Sequence, residues 1–234
     1  MKIVSIEKIT LIDFPDKIAC TLFLEGCNFR CGFCHNPELV IGKINTEVSQ
    51  KEVLEFLDKR KNQLEGVCIT GGEPLLNIDI NFLEKIKELE YSIKIDTNGS
   101  FPEKLKEIIE KKLIDFVAMD IKSSKRNYNK ITNSKVNLEN IEKSIKLILS
   151  SGLDYEFRTT IIEPIHDEEE IKEIGLWLNE ICDIKPKKFA IQGFKNNGKF
   201  IDIRFNAIKD TSSKRLEELK KIAMNYFKNV EIKE

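Results

Sequence analysis

The feature of this 234-residue sequence that most restricts its fold is an alternation of short strands and amphipathic helices along almost the whole chain. Six segments rich in apolar and β-branched residues are predicted strands, at 18–24, 66–70, 92–96, 115–121, 155–162 and 187–191. The segments between them carry apolar residues at helical spacing, and one begins with a Ser49-x-x-Glu52 capping box. Repeated βα units of this kind predict an α/β fold with a parallel sheet and right-handed crossovers.

The domain organisation follows from the evenness of this pattern. No Gly/Ser-rich linker, low-complexity run or charge block divides the sequence, so a single domain over 1–234 is predicted. Its core spans about 18–192, and 193–234 adds a C-terminal helix and a possible final strand near Val230. Periodicity leaves a doubly wound sheet and a barrel both open, and in either one functional residues gather at the carboxyl ends of the strands.

Composition excludes several classes of protein. The sequence has 38 Lys and Arg against 39 Asp and Glu, a net charge of −1, whereas a nucleic-acid-binding domain is expected to be basic. Its apolar runs are far shorter than the roughly 18 residues of a membrane span, and its N-terminus lacks the apolar core of a signal peptide. The chain is therefore expected to be cytoplasmic, with neither a nucleic-acid nor a membrane partner.

The cysteines indicate the chemistry. Cys27, Cys31 and Cys34 fall within eight residues just after the first predicted strand. Three thiolates on one short loop suit three corners of a compact cluster. A [4Fe–4S] cube normally takes four cysteines, so one iron would stay open to an outside ligand. A Cys3His zinc site is less favoured, because His35 adjoins Cys34 and the only other histidine, His166, lies far along the chain.

Polar residues also recur directly after the other predicted strands. They are Gly71-Gly72-Glu73-Pro74 after the second, Asp96-Thr97-Asn98-Gly99 after the third, Asp120-Ile121-Lys122 after the fourth, Arg158 within the fifth and Gln192 at the sixth. Turn chemistry and helix capping would explain each of them taken singly. Their recurrence at the same end of successive strands indicates a functional site.

The cysteine spacing x3 then x2, with Phe33 before the third cysteine and Gly-Gly-Glu-Pro one βα unit later, resembles the radical S-adenosylmethionine (SAM) superfamily. The resemblance covers essentially the whole chain. It implies a partial (βα)6 TIM-like barrel, laterally open, with the cluster loop after the first barrel strand. It also implies a [4Fe–4S] cluster held by Cys27, Cys31 and Cys34, and SAM chelated to the open iron. No catalytic residue is implied beyond the cluster and SAM, which together yield a 5′-deoxyadenosyl radical.

A finer resemblance is to the activating enzymes of glycyl-radical enzymes, oxidoreductases that work anaerobically. The approach from Ile12 to Pro15 and the Cys-His-Asn-Pro exit from Cys34 to Pro37 are similar to the activating proteins of anaerobic ribonucleoside-triphosphate reductase. This implies a glycyl-radical enzyme as the protein substrate and a flavodoxin or ferredoxin as the reductant. Two alternatives stay open: a radical SAM enzyme acting on a small molecule or peptide, as in deazapurine chemistry, and a non-catalytic iron–sulfur electron carrier.

The resemblance also implies roles for individual residues. The implied SAM-binding residues are Phe33, Cys34, His35, Gly71, Gly72, Glu73, Asp120, Ile121, Lys122, Arg158 and Gln192. The implied ligands of a monovalent cation beside the SAM carboxylate are Asp96, Thr97 and Asp120.

The charges of these residues agree with such roles. Glu73 is expected to accept from the SAM amino group, and Lys122 or Arg158 is expected to face its carboxylate or ribose. Glycines 71 and 72 permit a close approach because they lack a Cβ. The sequence departs from the family at the sixth strand, where a SAM-contacting histidine is absent and Gln192 or Lys195 is expected to replace it.

Overall fold

The computed structural model describes residues 1–42, 44–163, 165–182 and 185–233. Its strands are β1 (Ile3–Thr10), β2 (Ala19–Leu24), β3 (Gly66–Gly71), β4 (Ser92–Thr97), β5 (Phe116–Asp120), β6 (Asp154–Ile161), β7 (Lys188–Gly193) and β8 (Asn229–Lys233). They follow chain order in one sheet, with β1 at one edge and β8 at the other. β1 is antiparallel to β2, whereas β2, β3 and β4 are parallel, as are β6, β7 and β8.

The helices occupy the segments between the strands. They are α1 (Pro37–Ile41), α2 (Gln50–Asp58), α3 (Ile80–Glu88), α4 (Pro102–Glu110), α5 (Tyr128–Thr132), α6 (Leu138–Ser150), α7 (Glu168–Cys182) and α8 (Ser213–Ala223), with short 3-10 helices at Pro74–Leu76 and Ile203–Ala207. The Ser49 capping box is confirmed, since Ser49 and Glu52 each accept from the other's backbone amide. α6 ends just before Gly152, whose positive φ of 78° is typical of a helix stop.

These elements confirm the predicted α/β fold with an open, mostly parallel sheet and the cysteine loop after its first parallel strand. All six predicted strands form, and the final strand near Val230 is β8. The prediction missed β1, because four of its eight residues are exposed and two of these, Glu7 and Lys8, are charged, which hides the strand pattern. Two of the helices, α1 and α5, also went unpredicted, since five residues are too few to show a helical period.

The chain divides into two compact units. Unit 1 comprises Met1–Asn28, Glu38–Thr97 and Glu103–Val117, and unit 2 comprises Phe29–Pro37, Asn98–Pro102 and Ala118–Glu234. In unit 1, Leu22, Val67 and Ile95 are fully buried within the parallel strands. In unit 2, the ring of Phe189 stacks on that of Phe227 with centroids 4.1 Å apart. A fully buried apolar side chain of this size contributes about 1.5–3 kcal/mol to folding.

Among the described residues, none of the helices combines the length and the apolar character that crossing a lipid bilayer requires.

Candidate active site

The loop after β2 begins in unit 1 and continues in unit 2. Cys27, in unit 1, and Cys34, in unit 2, are half-buried, whereas Cys31, in unit 2, is buried. None of the three is in a disulfide. Within unit 2, the amide of Cys34 donates to the carbonyl of Cys31 at 3.1 Å, which forms a tight turn between the two thiols.

The two glycines at the end of β3 are required by contacts within the chain itself. Gly71 has a φ of 130°, and a Cβ there would lie 2.3 Å from the carbonyl oxygen of Leu24. A Cβ on Gly72 would lie 2.0 Å from the carbonyl oxygen of Gly26 and 3.2 Å from Cβ of Cys27. Backbone hydrogen bonds from Gly72 to Leu24 and from Glu73 to Gly26 close this contact. The glycines therefore allow the end of β3 to pack directly on the start of the cysteine loop.

Glu73 is a buried carboxylate fixed by two donors. Only 2% of the residue is exposed. Its Oε1 accepts from the amide of Leu75 at 3.1 Å, which caps the short helix at Pro74–Leu76, and from Oγ1 of Thr97 at 2.7 Å. The side chain thereby joins the end of β3 to the end of β4. A negative charge held in this way is suited to accept from an ammonium group of a ligand.

Asp96, at the end of β4, pairs with a lysine that sequence reasoning did not single out. Lys94 is 2% exposed, and its ammonium forms an ion pair with Asp96. Nζ also lies 3.7 Å from Sγ of Cys68, the residue opposite Lys94 in the parallel ladder with β3. The thiol of Cys68 in turn lies 3.9 Å from Oδ1 of Asp96. The i, i+2 spacing in a strand was the available indication, since such residues share one face.

In unit 2 the structure brings together Asp120, Lys122 and Arg158. Nε of Arg158 donates to Oδ1 of Asp120 at 2.5 Å, and Nζ of Lys122 donates to Oδ2 at 2.8 Å. Burial alone would raise the pKa of Asp120, but the two cations outweigh it and the pKa is lowered. Burial would likewise lower the pKa of Lys122, yet Asp120 and Cys31 raise it. All three groups are thus charged, and together they carry one net positive charge.

Two buried residues near the start of α7 hold the Asp120–Lys122 segment, and neither was predicted to do so. Nδ1 of His166 accepts from the amide of Ile162 at 3.1 Å, so the ring proton lies on Nε2, which donates to the carbonyl of Lys122 at 3.1 Å. Burial lowers the pKa of His166 and keeps the ring neutral. Glu170 accepts from the amide of Ser124 at 2.5 Å.

The remaining predicted residues of unit 2 lie as follows. The ring of His35 packs against Phe194 and Phe200, with centroids 5.6 and 5.7 Å apart, and burial lowers its pKa. Its buried Nε2 has no hydrogen-bond partner, which fits a position that receives a ligand. Phe33 packs on Phe205, and Ile121 is buried and donates its amide to the carbonyl of Arg158. Gln192 lies half-buried on β7, and Lys195 pairs with Asp210 at the surface.

No three His, Cys, Asp or Glu side chains in the described ranges come close enough to bind a single metal ion. A [4Fe–4S] cube differs from a single ion because each thiolate ligates its own iron, so its cysteines need not converge on one point. In unit 2, the thiols of Cys31 and Cys34 are outside any disulfide and thus suit irons of a cluster, and the orphaned nitrogen of His35 fits a position that a ligand reaches.

Comparison with known proteins agrees with this chemistry. The family model of the radical SAM superfamily matches residues 21–178. A protein of Methanocaldococcus jannaschii assigned as a glycyl-radical enzyme activating enzyme is 33% identical over 234 residues, which cover 97% of this chain and 94% of that protein. A pyruvate formate-lyase-activating enzyme of Clostridium pasteurianum is 30% identical over 191 residues, 79% of each chain.

The solved structures show the same fold. A radical SAM methyltransferase from Sphaerobacter thermophilus superposes with a TM-score of 0.72 over 96% of this chain and 68% of its own, at 11% identity. At that identity the likeness concerns the fold alone, and it agrees with the fold that the sequence motifs implied. The chain therefore belongs to the radical SAM superfamily and, within it, to the glycyl-radical enzyme activating enzymes, which use SAM and a [4Fe–4S] cluster.

Proposed function

We propose that this chain generates a glycyl radical on a partner enzyme and that the partner is an anaerobic ribonucleoside-triphosphate reductase. The observation that carries the first part is the similarity to an activating enzyme over nearly the full length of both chains. The second part rests on two motifs, the Ile-Asp-Phe-Pro approach from Ile12 to Pro15 and the Cys-His-Asn-Pro exit from Cys34 to Pro37.

The cysteine loop supplies the ligands for this chemistry. Cys27, Cys31 and Cys34 would hold three irons of the cluster and leave the fourth for the amino and carboxylate groups of SAM. When both are bound, they supply a one-electron cleavage of SAM that yields methionine and a 5′-deoxyadenosyl radical. A flavodoxin or ferredoxin would deliver the electron, and the enzyme would work in the cytoplasm.

The strand-end residues bind and orient SAM in this proposal. Glu73, held by Thr97 and Leu75, accepts from the SAM amino group. Lys122 and Arg158 face the SAM carboxylate or the ribose, and Asp120 fixes the positions of both cations. Since Lys122 and Arg158 are both cations, an anionic carboxylate is a ligand that their electrostatics favour.

The other residues proposed to bind SAM contribute backbone, rings and an amide. Gly71 and Gly72 allow the end of β3 to pack against the start of the cysteine loop, and Glu73 is the next residue along the chain. Phe33, Ile121 and the ring of His35 present apolar surface suited to the adenosine part of SAM. Gln192, in place of the family histidine, offers an amide that can both donate and accept.

An anaerobic electron paramagnetic resonance experiment tests the proposal. The reconstituted chain is mixed with SAM, reduced flavodoxin and the host's anaerobic ribonucleotide reductase. A glycine-centred doublet on the reductase is expected, and it should be lost in Cys31→Ala. Cys20→Ala is the matched control, because Cys20 is also a buried cysteine but lies within β2, where burial raises its pKa to about 12. This variant should retain the doublet.

The other outcomes separate the two parts of the proposal. A doublet that forms on pyruvate formate-lyase but not on the reductase would contradict the partner and keep the reaction. If SAM perturbs the reduced-cluster signal but no protein radical forms on either enzyme, the substrate is instead a small molecule or a peptide. If SAM leaves the cluster signal unchanged, the chain is an electron carrier and the catalytic proposal fails.

A further inference from the structure

The chain between β5 and α6 is basic throughout. Residues 121–138 contain no Asp or Glu but five basic residues, Lys122, Lys125, Arg126, Lys130 and Lys135. The last four are exposed and lie on or beside α5. Lys125 and Arg126 form ion pairs with glutamates of α6 and α7, at 2.7 and 3.3 Å. In the part of the chain that the structure describes, Lys130 and Lys135 form no ion pair, so they present two positive charges to solvent.

This basic segment packs against the cysteine loop within unit 2. The amide of Arg30 donates to the carbonyl of Thr132 and to the hydroxyl of Ser134, at 3.0 Å in each case. The ring of Phe29 lies edge-on to that of Tyr128, with centroids 6.4 Å apart. Arg30 is itself exposed and directly precedes a predicted cluster ligand. The basic surface therefore adjoins the segment that would carry the cluster.

A cavity of about 480 Å³ lies where this segment meets the loop. Gly32 and Phe33 of the loop form one part of its wall, and Lys130 and Ile131 of α5 form another. Residues of the 3-10 helix at Ile203–Ala207 also line it. The two residues between the second and third cysteines of the loop thus form part of a cavity wall beside the exposed charge of Lys130.

The lining of this cavity has the character of a docking surface. Asp202 and Arg204 line it and pair with each other at 2.6 Å, so among the described lining residues Lys130 adds a net positive charge. Ile203, between these two, is 78% exposed. Apolar contact surface with a charged rim is typical of protein–protein interfaces. Complementary charges at such a rim speed up association and select the partner.

The geometry points to a partner that delivers electrons. We infer that an acidic electron-transfer protein, a flavodoxin or ferredoxin by class, docks on the donor surface, which comprises Lys130, Lys135 and the 3-10 helix at Ile203–Ala207. Electron transfer slows steeply with distance, so a donor has to approach the cysteine loop. Because the whole chain has a net charge of −1, an acidic partner is drawn to this surface rather than to the chain in general.

The inference rests on the proposed function for the cluster and for its need of a reductant. The step moves one electron from the doubly reduced flavin of flavodoxin to the oxidised cluster, and no bond forms or breaks. The residues of the donor surface hold the donor in place and touch neither SAM nor the reacting atoms in this proposal.

Binding and cluster reduction test the inference on the reconstituted full-length chain. Calorimetry measures the Kd for oxidised flavodoxin, and freeze-quenched samples give the rate at which reduced flavodoxin produces the reduced-cluster signal. Lys130→Glu with Lys135→Glu should weaken binding and slow reduction by roughly tenfold or more at low salt, since electrostatic steering raises association rates by about 10- to 10³-fold. High salt should narrow this difference from the wild type, because it screens exposed charges. Ile203→Ser should weaken binding at both salt concentrations.

Lys214→Glu with Lys221→Glu is the matched control. It reverses two exposed charges on α8, which packs on β7 and β8, and neither residue lines the cavity. The net charge changes as much as in the donor-surface variant, but flavodoxin binding and cluster reduction should stay close to those of the wild type. Dithionite, a small inorganic reductant that needs no docking surface, should reduce the cluster of every variant to the wild-type extent.

Three results would overturn the inference. One is a Lys130→Glu, Lys135→Glu variant that binds flavodoxin and accepts its electron as the wild type does, and another is an α8 control that is impaired equally. The third is weaker binding of the glycyl-radical enzyme with unchanged binding of flavodoxin, since the surface would then belong to the protein substrate.

Failure of the proposed function is recognised separately. It would show as a wild-type chain that forms no protein radical even when dithionite supplies the electron. The Kd for flavodoxin and the rate of cluster reduction require no protein radical, so they decide the donor surface in either case.

Discussion

Glu73 offers a way to separate the structural role of a site residue from its role in binding SAM. The structure shows one oxygen of this buried carboxylate accepting from Leu75 and Thr97. The proposed function adds the SAM amino group as a further donor. Glu73→Gln keeps a carbonyl oxygen for the two internal donors but removes the negative charge, whereas Glu73→Ala removes both.

The expected losses of stability and of SAM affinity follow from the hydrogen bonds that each Glu73 variant removes. In Glu73→Ala, the amide of Leu75 and the hydroxyl of Thr97 each lose a buried acceptor, at about 1–3 kcal/mol apiece, so the free energy of unfolding should fall by roughly 2–6 kcal/mol. In Glu73→Gln both bonds persist in neutral form, and the fall should be about 1 kcal/mol or less. Loss of a charge-assisted bond worth about 1.5–3 kcal/mol should weaken SAM binding by roughly 10- to 150-fold.

Urea unfolding and an anaerobic SAM titration of the reduced-cluster signal measure the two effects on the same samples. Glu156→Gln is the matched control, because Glu156 is about as buried as Glu73 but has no proposed role in binding SAM. Its carboxylate forms an ion pair with Lys233 on β8. This control should lose stability and bind SAM normally. The reasoning is refuted if Glu73→Gln binds SAM as tightly as the wild type, or if it loses as much stability as Glu73→Ala.

Two further predictions concern the packing and the pH dependence of the fold. Gly72→Ala should destabilise the chain by about 1–3 kcal/mol or more and reduce cluster loading, because its Cβ would overlap the carbonyl oxygen of Gly26. In the control Gly193→Ala, the Cβ would lie 3.2 Å from Cδ1 of Leu216 and 3.9 Å from the carbonyl oxygen of Lys233, so the effect on urea unfolding and iron content should be smaller. Burial lowers the pKa values of His166 and His35, so the unfolded chain takes up protons more readily. The free energy of unfolding should therefore be constant above pH 7 and fall below about pH 6.5, by up to roughly 1.4 kcal/mol per pH unit for each histidine. In His166→Gln the measured slope between pH 6.5 and 5.5 should be smaller, and an unchanged slope would contradict the assignment.

Much of the candidate site could be predicted because its residues sit at the ends of strands. Parallel strands direct their carboxyl ends to one edge of a sheet, so polar residues were expected to recur there, and in unit 2 Asp120 forms ion pairs with Lys122 and Arg158. Glu73 and Thr97, from successive strand ends, meet for the same reason. Their assigned roles toward SAM stay predictions, since those roles come from the resemblance rather than from the contacts.

The partners of these residues were less predictable. His166 lies 44 positions from the carbonyl that it contacts, and its own neighbours in the sequence give no sign of that contact. Lys94 alternates with Ile93 and Ile95 in a strand, where an isolated lysine is usually solvent-exposed. Only the position of Cys68 and Asp96 around its ammonium shows that it is buried and paired.

The sequence alone determined the α/β fold, the position of the cysteine loop and the chemical family, because strand and helix periods and cysteine spacing are local properties of the chain. The tertiary structure decided what Gly72 makes room for, which cation neutralises Asp96, and what holds the Asp120–Lys122 segment. The Gly72 contact depends on the register between β2 and β3, the His166 contact depends on how the segment before α7 packs, and the pairing of Lys94 with Asp96 depends on the burial of one face of β4. Register is set by the packing of the whole sheet, so it cannot be deduced from any one segment.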